Sequence, residues 1–347
     1  MNIDSTRLQP LIESIFAAAG CEPREAQVIA RRLVGANLVG HDSHGVIQVP
    51  TYLKWIREGK VRPNQRIQTV VDNEVLAIVD GQFGFGQAIG EQAMELAIRK
   101  SRTFGIGVVG LRNSGHLGRI GDWAELAAEA GCVSLHFVNT SGLGILVAPH
   151  GGYDARLSAN PIAAGVPRKN APPIILDIST CVVAEGKIRV ALNKGEQVPA
   201  GCVLDAAGRP TTDPKAFYGP PRGAILPFGG HKGYGLGILV EALAGAFSAA
   251  ACSNPENGAR LANNMLSIVF DPARVQSTDA FHRELDRFVE YVKSSRTVTP
   301  NGDILLPGEV EASNREGKLS RGIELDPTTW ENLGQAAREI GVRVPVS

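Results

Sequence analysis

The sequence predicts an α/β fold in which a helical unit, built from both chain ends, accompanies a central α/β unit. Helical and strand-like apolar segments alternate through the middle of the chain, which favours helices packed on a sheet. Both ends carry helical periodicity, and 347 residues with 44% hydrophobic content are enough for one large or two ordinary cores. We expect a discontinuous, mainly helical domain over residues 1–75 and 285–347, and an α/β domain over residues 76–284.

The first third of the chain opens with helices and continues with two strands. Apolar spacing predicts helices over Ser5 to Ala19, Pro23 to Gly40 and Val46 to Glu58. Pro23 suits a first helical turn. Strands predicted over Ile67 to Val71 and Leu76 to Asp80 flank Asn73 and Glu74, so we expect a hairpin-like connection there.

Residues Gly105 to Gly110 read GIGVVG and match the G-x-G-x-x-G pattern of dinucleotide-binding Rossmann folds. That fingerprint requires a strand before the glycines and a helix after them. Here helical periodicity over residues 87–104 comes first, and the apolar run 106–111 follows as a strand. We therefore predict that Gly105 caps a helix, and that a dinucleotide binds elsewhere on the chain.

The alternation of helices and strands continues to the C-terminus. The predicted elements are a helix over 119–130, a strand over 132–138, strands near 162–166 and 173–178, a helix near 181–192, loops over 195–230, a helix over 233–251, a strand over 266–270, a helix over 278–293 and helices near 311–320 and 327–341. The apolar segment Gly233 to Cys252 approaches the length of a membrane span. Glu241 at its centre instead predicts a helix of a soluble protein, buried on most sides.

Composition argues against several classes of partner. Lysine plus arginine and aspartate plus glutamate each number 35, so no global field favours nucleic acid or an anionic membrane. The N-terminal segment lacks the apolar block of a signal peptide. Without C-x-x-C pairs or metal spacing, the cysteines are expected to be buried free thiols in a reducing, cytoplasmic setting. They are Cys21, Cys132, Cys181, Cys202 and Cys252.

Four of the seven histidines lie in glycine-flanked polar loops, which suits residues that meet a ligand. His41 and His44 belong to GHDSHG, His116 to NSGHLGRIG and His231 to GGHKGYG. A loop histidine titrates near neutrality and serves as a general acid or base. A metal-dependent hydrolase built on His41, Asp42, His44 and His116 stays open as an alternative, although the spacing is not that of a helical zinc motif.

Charged and hydroxyl side chains near these loops are further candidates. Arg119 stands at the start of a predicted helix, where main-chain amides also favour anions. Asp177 lies near the end of a predicted strand and either meets a ligand there or caps the following helix. Ser43 adjoins His44, but adjacent side chains generally diverge and no G-x-S-x-G elbow occurs, which argues against a serine hydrolase.

Six ordered motifs together resemble the malate/L-lactate dehydrogenase family, which also includes ureidoglycolate, sulfolactate and piperideine-2-carboxylate oxidoreductases. The motifs are HDSHGVIQVPTYL, RNSGHLGRIGDWA, SANP, LDIST, GGHKGYGLGILVEAL and LLPGE, and the likeness covers nearly the whole chain. It implies the L-sulfolactate dehydrogenase-like fold, which is not a Rossmann fold, and a homodimer. It also implies reduction of a 2-oxo acid to a 2-hydroxy acid, and the reverse, with NAD or NADP as cofactor. Reduction of a cyclic imine carboxylate of the piperideine or pyrroline kind is the alternative within the family.

The resemblance also assigns roles to individual residues. His44 corresponds to the proton donor beside the nicotinamide, and His116 to a substrate ligand or acid/base partner. The expected substrate contacts are Ser43, Gln48, Tyr52 and Arg119. The expected cofactor contacts are His44, Gly118, Arg119, Ile120, Ile175, Leu176, Asp177, Ile178, Ser179, His231, Lys232, Gly308, Glu309, Val310 and Glu311. No metal is expected.

Gln48 departs from the pattern of the family. Most members carry an arginine at this position that holds the substrate carboxylate, and a neutral amide cannot replace a bidentate guanidinium. Members of the hydroxycarboxylate dehydrogenase B branch, which this chain resembles most, also lack that arginine and share G-R-I-G after the second histidine. We therefore predict that Arg119 supplies positive charge for the substrate carboxylate or the cofactor phosphates. Arg168 and Lys169 are candidates for meeting the 2′-phosphate of NADP.

Overall fold

The computed structural model describes residues 1–258, 260–300 and 302–344. The helices are α1 Ser5–Ala18, α2 Pro23–Leu38, α3 Val49–Arg57, α4 Gly86–Phe104, α5 Gly121–Glu129, α6 Glu185–Lys194, α7 Pro214–Tyr218, α8 His231–Val240, α9 Thr278–Lys293, α10 Glu309–Arg321 and α11 Pro327–Glu339. The strands are β1 Asn2–Ile3, β2 Gln68–Asp72, β3 Leu76–Asp80, β4 Ile106–Ser114, β5 Val133–Gly142, β6 Ile162–Val166, β7 Ile174–Ile178, β8 Val203–Leu204, β9 Pro210–Thr211, β10 Ala224–Ile225, β11 Leu261–Phe270 and β12 Ile323–Glu324.

A seven-stranded mixed sheet lies at the centre of the described residues, in the order β2-β3-β4-β11-β5-β6-β7. β3 and β4 are parallel, and the other neighbouring pairs are antiparallel. β11 returns from late in the chain to lie between β4 and β5. Helices α4 and α5 pack on the sheet around the buried side chains of Met94 and Trp123. The predicted α/β class is therefore confirmed, with a sheet of mixed strand direction.

The GIGVVG segment is a place of close packing between helix and strand. Gly105 has a φ of 86° and ends α4, and its N–H donates to the carbonyl oxygen of Ser101, so the predicted cap is confirmed. A Cβ atom on Gly107 would lie 2.1 Å from the carbonyl oxygen of Ala97 in α4. A helix precedes these glycines and a strand contains them, which is the reverse of the Rossmann order.

Residues from both chain ends share one apolar core. β1 pairs with β12, and α11 packs against α3. The core includes Leu8 and Phe16 from α1 together with Ile323 and Leu333 from the other end of the chain. The two ends therefore stabilise each other, while the domain boundaries at residues 75, 76, 284 and 285 stay predictions.

Three predictions of elements were wrong in detail. Residues 195–230, predicted as loop, contain α7 and the small sheet β10-β8-β9, whose two-residue strands leave no readable periodicity. The helix predicted near 181–192 begins only at Glu185. β11 begins five residues before the predicted strand 266–270, because Asn263 and Asn264 are polar yet buried in it.

The apolar segment 233–251 also differs from its prediction. α8 ends at Val240 and is continued by a π-helix over Glu241–Phe247, and the side chains of Ile238, Leu239 and Phe247 are exposed. The expectation of a helix buried on most sides is therefore wrong. Across the described residues, no helix is long and apolar enough to cross a membrane.

The cysteines agree with prediction except at one position. All five are free thiols, and Cys21, Cys132, Cys181 and Cys202 are buried. Cys252 is exposed, contrary to expectation, because the helical segment ends at Phe247 and Cys252 lies in the loop that follows.

Candidate active site

The two loop histidines predicted to be catalytic lie face to face. His44 ends a 3-10 turn over Asp42–His44 between α2 and α3, and His116 lies in the loop between β4 and α5. Their rings are stacked, with centroids 5.5 Å apart and planes 13° apart. Two motifs that are 72 positions apart in the chain thus meet in one half-buried site.

The turn that carries His44 is held by side chains on both sides. Asn37 Oδ1 accepts the N–H of Val46 at 2.9 Å, and Gln48 Nε2 donates to the carbonyl oxygen of Ser43 at 2.7 Å. A Cβ atom on Gly45 would lie 2.2 Å from Asn37 Oδ1, so the glycine of S-H-G is required by this close approach. Gln48 therefore stabilises the loop through one N–H of its amide.

Ser43 contacts the histidine that follows it. Its Oγ lies 3.1 Å from His44 Nδ1, so the expectation that these adjacent side chains diverge is wrong. Burial lowers the pKa of His44, and the nearby charge of Asp177 only partly opposes this effect.

His116 has an uncharged hydrogen-bond partner, Tyr52, which is itself bonded to Gln87. The Oη atom of Tyr52 lies 2.7 Å from His116 Nδ1, and Gln87 Nε2 donates to the same Oη at 3.0 Å. Burial, with a smaller contribution from His44, lowers the pKa of His116 to about 3. Burial also raises the pKa of Tyr52, so both groups are uncharged near neutrality.

Arg119 is buried among carboxylates. Its Nη1 lies 3.0 Å from Asp122 Oδ1 and 2.8 Å from Glu125 Oε1, and its Nε lies 3.8 Å from Asp177 Oδ2. Burial alone would lower the pKa of Arg119, but these acids outweigh it and raise the pKa. Its Nε and Nη2 atoms have no hydrogen-bond partner within the described residues. The predicted anion-binding role of Arg119 stays a prediction, which depends on these two nitrogens.

Asp177 holds the start of a helix from another part of the chain. Its Oδ2 accepts the N–H of Gly121, the first residue of α5, at 2.8 Å. The alternative that Asp177 caps the helix following its own strand is therefore wrong. Tertiary contact between β7 and α5 decides its partner, which local sequence cannot indicate.

The predicted cofactor residues of β7 and α10 also lie together. The N–H of Ile175 donates to the carbonyl oxygen of Pro307 at 2.9 Å. Gly308, with a φ of 94°, lies directly before α10, and a Cβ atom there would be 3.1 Å from Ile175. Glu311 Oε1 in the first turn of α10 lies 3.4 Å from His41 Nε2. Edge strand β7, the start of α10 and the His44 turn are thus neighbours.

The glycine-rich loop before α8 adjoins the same edge of the sheet. His231 and Lys232 are exposed in the first turn of α8. The N–H of Phe228 donates to the carbonyl oxygen of Thr180, which lies just beyond β7. The predicted residues thus reach this edge from five segments of the chain: 41–48, 116–121, 175–179, 231–232 and 308–311.

The described residues offer anion-binding groups at this edge. The starts of α8 and α10 present main-chain N–H groups, which favour anions, whereas those at the start of α5 donate to Asp177, Arg119 and Ile120. Within the described part of the chain, no group of three or more His, Cys, Asp or Glu side chains is placed to hold a metal ion. His41 contacts Glu311 and His116 contacts Tyr52 instead.

Sequence reasoning missed Gln87 and Asn37. Both are polar residues, each 1% exposed, in helices α4 and α2. The available signal was a polar side chain on the apolar face of a predicted helix. Such a signal shows that a residue has a partner but does not identify that partner.

Comparison with known proteins identifies the family to which this chain belongs. The chain matches the malate/L-lactate dehydrogenase family over residues 3–334. It belongs to that family and is an oxidoreductase acting on 2-hydroxycarboxylates. The resemblance predicted from the six motifs is therefore confirmed.

Individual relatives extend over almost the whole chain. Hydroxycarboxylate dehydrogenase B of Escherichia coli (strain K12) is 39% identical over 346 residues, which cover 98% of this chain and 94% of that protein. The structure of sulfolactate dehydrogenase from Methanocaldococcus jannaschii has a TM-score of 0.87 at 33% identity, covering 99% of this chain and 98% of that one. The structure of Δ1-piperideine-2-carboxylate reductase from Pseudomonas syringae pvar. tomato has a TM-score of 0.83 at 31% identity, covering 97% and 100%.

Proposed function

We propose that this protein reduces a 2-oxo acid to the 2-hydroxy acid with NADH or NADPH, and catalyses the reverse oxidation, with His44 as the proton donor. The stacked pair of His44 and His116 beside the edge strand β7 carries the proposal. Membership of a family of hydroxy acid dehydrogenases supports the reaction class. The catalytic role of His44 and the choice of cofactor are our inference.

The residues around β7 suit a nicotinamide dinucleotide. Gly118 and Gly308 have positive φ values of 73° and 94°, and Gly308 directly precedes the start of α10. Arg119 has two buried N–H-bearing nitrogens without partners within the described residues, which suit an anionic group. When bound, the reduced cofactor supplies a hydride to the substrate carbonyl carbon.

The chain itself contributes one acid and a set of neutral donors. Ser43 engages Nδ1 of His44, which leaves Nε2 as the nitrogen that delivers the proton to the substrate oxygen. The lowered pKa of His44 favours release of that proton and makes the neutral imidazole a base in the reverse direction. The rings of Tyr52 and His116 pack edge to face beside it.

We also propose that the protein is a homodimer. The exposed apolar side chains of Ile238, Leu239 and Phe247 lie on α8 and the π-helix, where a second copy would cover them. Light scattering during gel filtration tests this proposal. We expect twice the mass of one chain, and a Phe247→Glu variant that shifts toward the monomer; a monomeric wild-type protein would contradict the proposal.

Loss of reduced-nicotinamide absorbance tests the reaction. NADH and NADPH are each supplied with pyruvate, 2-oxoglutarate, phenylpyruvate, oxaloacetate or a cyclic imine carboxylate. We expect turnover with at least one 2-oxo acid. Turnover of the imine alone would support the second candidate, a reductase of cyclic imine carboxylates, which the likeness to Δ1-piperideine-2-carboxylate reductase favours. No turnover with any of them would contradict both.

A further inference from the structure

We propose that Gln87 is a positioning residue that acts through the Tyr52 hydroxyl to hold His116 as a neutral imidazole with its proton on Nε2. The proposal deepens the proposed function, on which its catalytic consequence rests. The proton position itself is a property of the protein without substrate or cofactor.

Gln87, Tyr52 and His116 form a continuous chain of hydrogen bonds. Gln87 is in the first turn of α4 and Tyr52 in α3, and each is 1% exposed. Gln87 Nε2 donates to Tyr52 Oη at 3.0 Å, and Oη lies 2.7 Å from His116 Nδ1. Water competes little with contacts buried to this extent, so the orientation of each group is set by its neighbour.

With Gln87 Nε2 toward Tyr52, as the structure places it, the direction of these hydrogen bonds sets the proton position on His116. A phenol carries a single proton, and because the Tyr52 oxygen accepts from Gln87, that proton points at His116 Nδ1. Nδ1 must then accept with its lone pair. A neutral imidazole whose Nδ1 accepts carries its hydrogen on Nε2.

Protonation of His116 would break this series of hydrogen bonds. A second proton on Nδ1 would face the hydroxyl proton of Tyr52, which cannot turn away because Gln87 presents an N–H there. The hydrogen-bond partner is uncharged, and the other titratable group facing the ring is His44, whose positive form repels a second charge. The low pKa of His116, about 3, agrees with this arrangement.

The two histidines therefore have different tasks. His116 offers Nε2–H as a neutral donor to an oxygen of the 2-oxo acid, and it does not supply the proton. His44 is the member of the pair that titrates during the reaction. Reduction then requires the loss of one proton from the His44 imidazole. Because the stacked His116 ring is neutral, no second positive charge lies beside protonated His44.

Reversing the polarity of Gln87 gives the sharpest test. In Gln87→Glu, a carboxylate oxygen replaces the amide N–H and accepts the Tyr52 proton, so Oη becomes an acceptor for His116 Nδ1–H. The matched control is Gln92→Glu, the same change in the same helix. Gln92 contacts Ala88 and Ile67 and does not contact Tyr52.

Nitrogen-15 NMR of histidine-labelled, ligand-free protein reads the proton positions directly, with a His116→Asn variant to assign the signals. We expect wild-type His116 to show a bare Nδ1 and a protonated Nε2, and no titration above about pH 5. We expect Gln87→Glu to move the proton to Nδ1 and raise the pKa of His116 by about one unit or more. Gln92→Glu should leave His116 unchanged.

Two results would overturn the proposal. One is wild-type His116 with its proton on Nδ1 or a titration near neutrality. The other is a Gln87→Glu protein in which His116 behaves as it does in Gln92→Glu. If Gln87→Glu does not fold, Gln87→Met serves in its place, with a mixture of both proton positions expected and an unchanged single position contradicting the proposal. Because no substrate is present, inactivity toward every 2-oxo acid would overturn the proposed function and leave this inference standing.

Discussion

At the scale of single residues, burial and the choice of hydrogen-bond partner decide what each histidine does. Among the described residues, the side chains that contact the His116 ring are a phenol and another imidazole, so burial keeps it neutral. His44 contacts Ser43 and lies near the charge of Asp177. Burial lowers the pKa of His44 more than the charge of Asp177 raises it. The same residue type thus supplies a donor at one position and an acid or base at the other.

The pH dependence of turnover tests the role of His44. Because burial lowers the pKa of His44 below 6.5, kcat/KM for reduction should fall as pH rises through that lower value. Oxidation of the hydroxy acid should show the opposite trend, since it needs the neutral imidazole. His44→Gln should lose about 10²- to 10⁴-fold in kcat and flatten both profiles. His282→Gln, on α9, is the control; a flat wild-type profile for the chemical step would contradict the assignment.

Arg119 is expected to stabilise the fold as well as any bound anion. Arg119→Met leaves Asp122 and Glu125 without their buried partner, which should cost about 3–5 kcal/mol in the free energy of unfolding. Arg24→Met removes an exposed pair with Glu95 and should cost at most about 1 kcal/mol. Urea unfolding measures both variants. An Arg119→Met protein with wild-type stability and unchanged KM for cofactor and 2-oxo acid would contradict both the stabilising role and the anion-binding role of Arg119.

At the scale of elements, close approach between backbones explains the glycine motifs. Gly107 of GIGVVG lies under α4, and Gly45 of S-H-G lies against Asn37. Both motifs therefore reflect packing, although only the second adjoins the site. A glycine pattern alone does not distinguish a phosphate site from a tight helix-strand contact.

Adding one methyl group tests this packing. Gly107→Ala should cost at least about 1–3 kcal/mol, because the new Cβ atom would lie 2.1 Å from a backbone oxygen of Ala97. Gly35→Ala, inside α2 with no atom within 4 Å of the added Cβ, should gain up to about 1 kcal/mol. Thermal unfolding compares the two variants. Equal stability of both would show that α4 does not pack on β4 as described.

Elements with long apolar periodicity were predictable, and those fixed by tertiary contact were not. The helix predicted over 278–293 agrees with α9 at both ends because its amphipathic pattern extends over 16 residues. The sequence did not indicate the first half of β11, because Asn263 and Asn264 are polar. Their side-chain amides are buried in the strand only because they donate hydrogen bonds to groups of other segments. In the site, motifs indicated His44 and His116, but the link through Gln87 depends on an approach of α4 to α3 that no local pattern records.

At the scale of the whole molecule, the two chain ends depend on each other. β1 pairs with β12, and Leu8 and Phe16 share a core with Leu333. α3, which carries Tyr52, packs on α11. The C-terminal helix therefore supports the wall of the candidate active site.

Truncating one side chain tests this coupling. Leu333→Ala should cost about 2–5 kcal/mol, because it leaves a cavity in a core shared by both ends. Hydrogen exchange should become faster in α1 as well as in α11. Leu319→Ala, at an exposed position of α10, should stay within about 0.5 kcal/mol of wild type. Faster exchange in α11 alone would contradict a shared core.

The most direct test of the central claim follows the hydride itself. The protein is given a 2-oxo acid that it turns over and reduced nicotinamide cofactor deuterated at both C4 positions, and the product is analysed by mass spectrometry and proton NMR. We predict a 2-hydroxy acid with one deuterium at C2 from the wild-type protein, formed much more slowly by His44→Gln. A product without deuterium at C2, or equal rates from both proteins, would contradict the account.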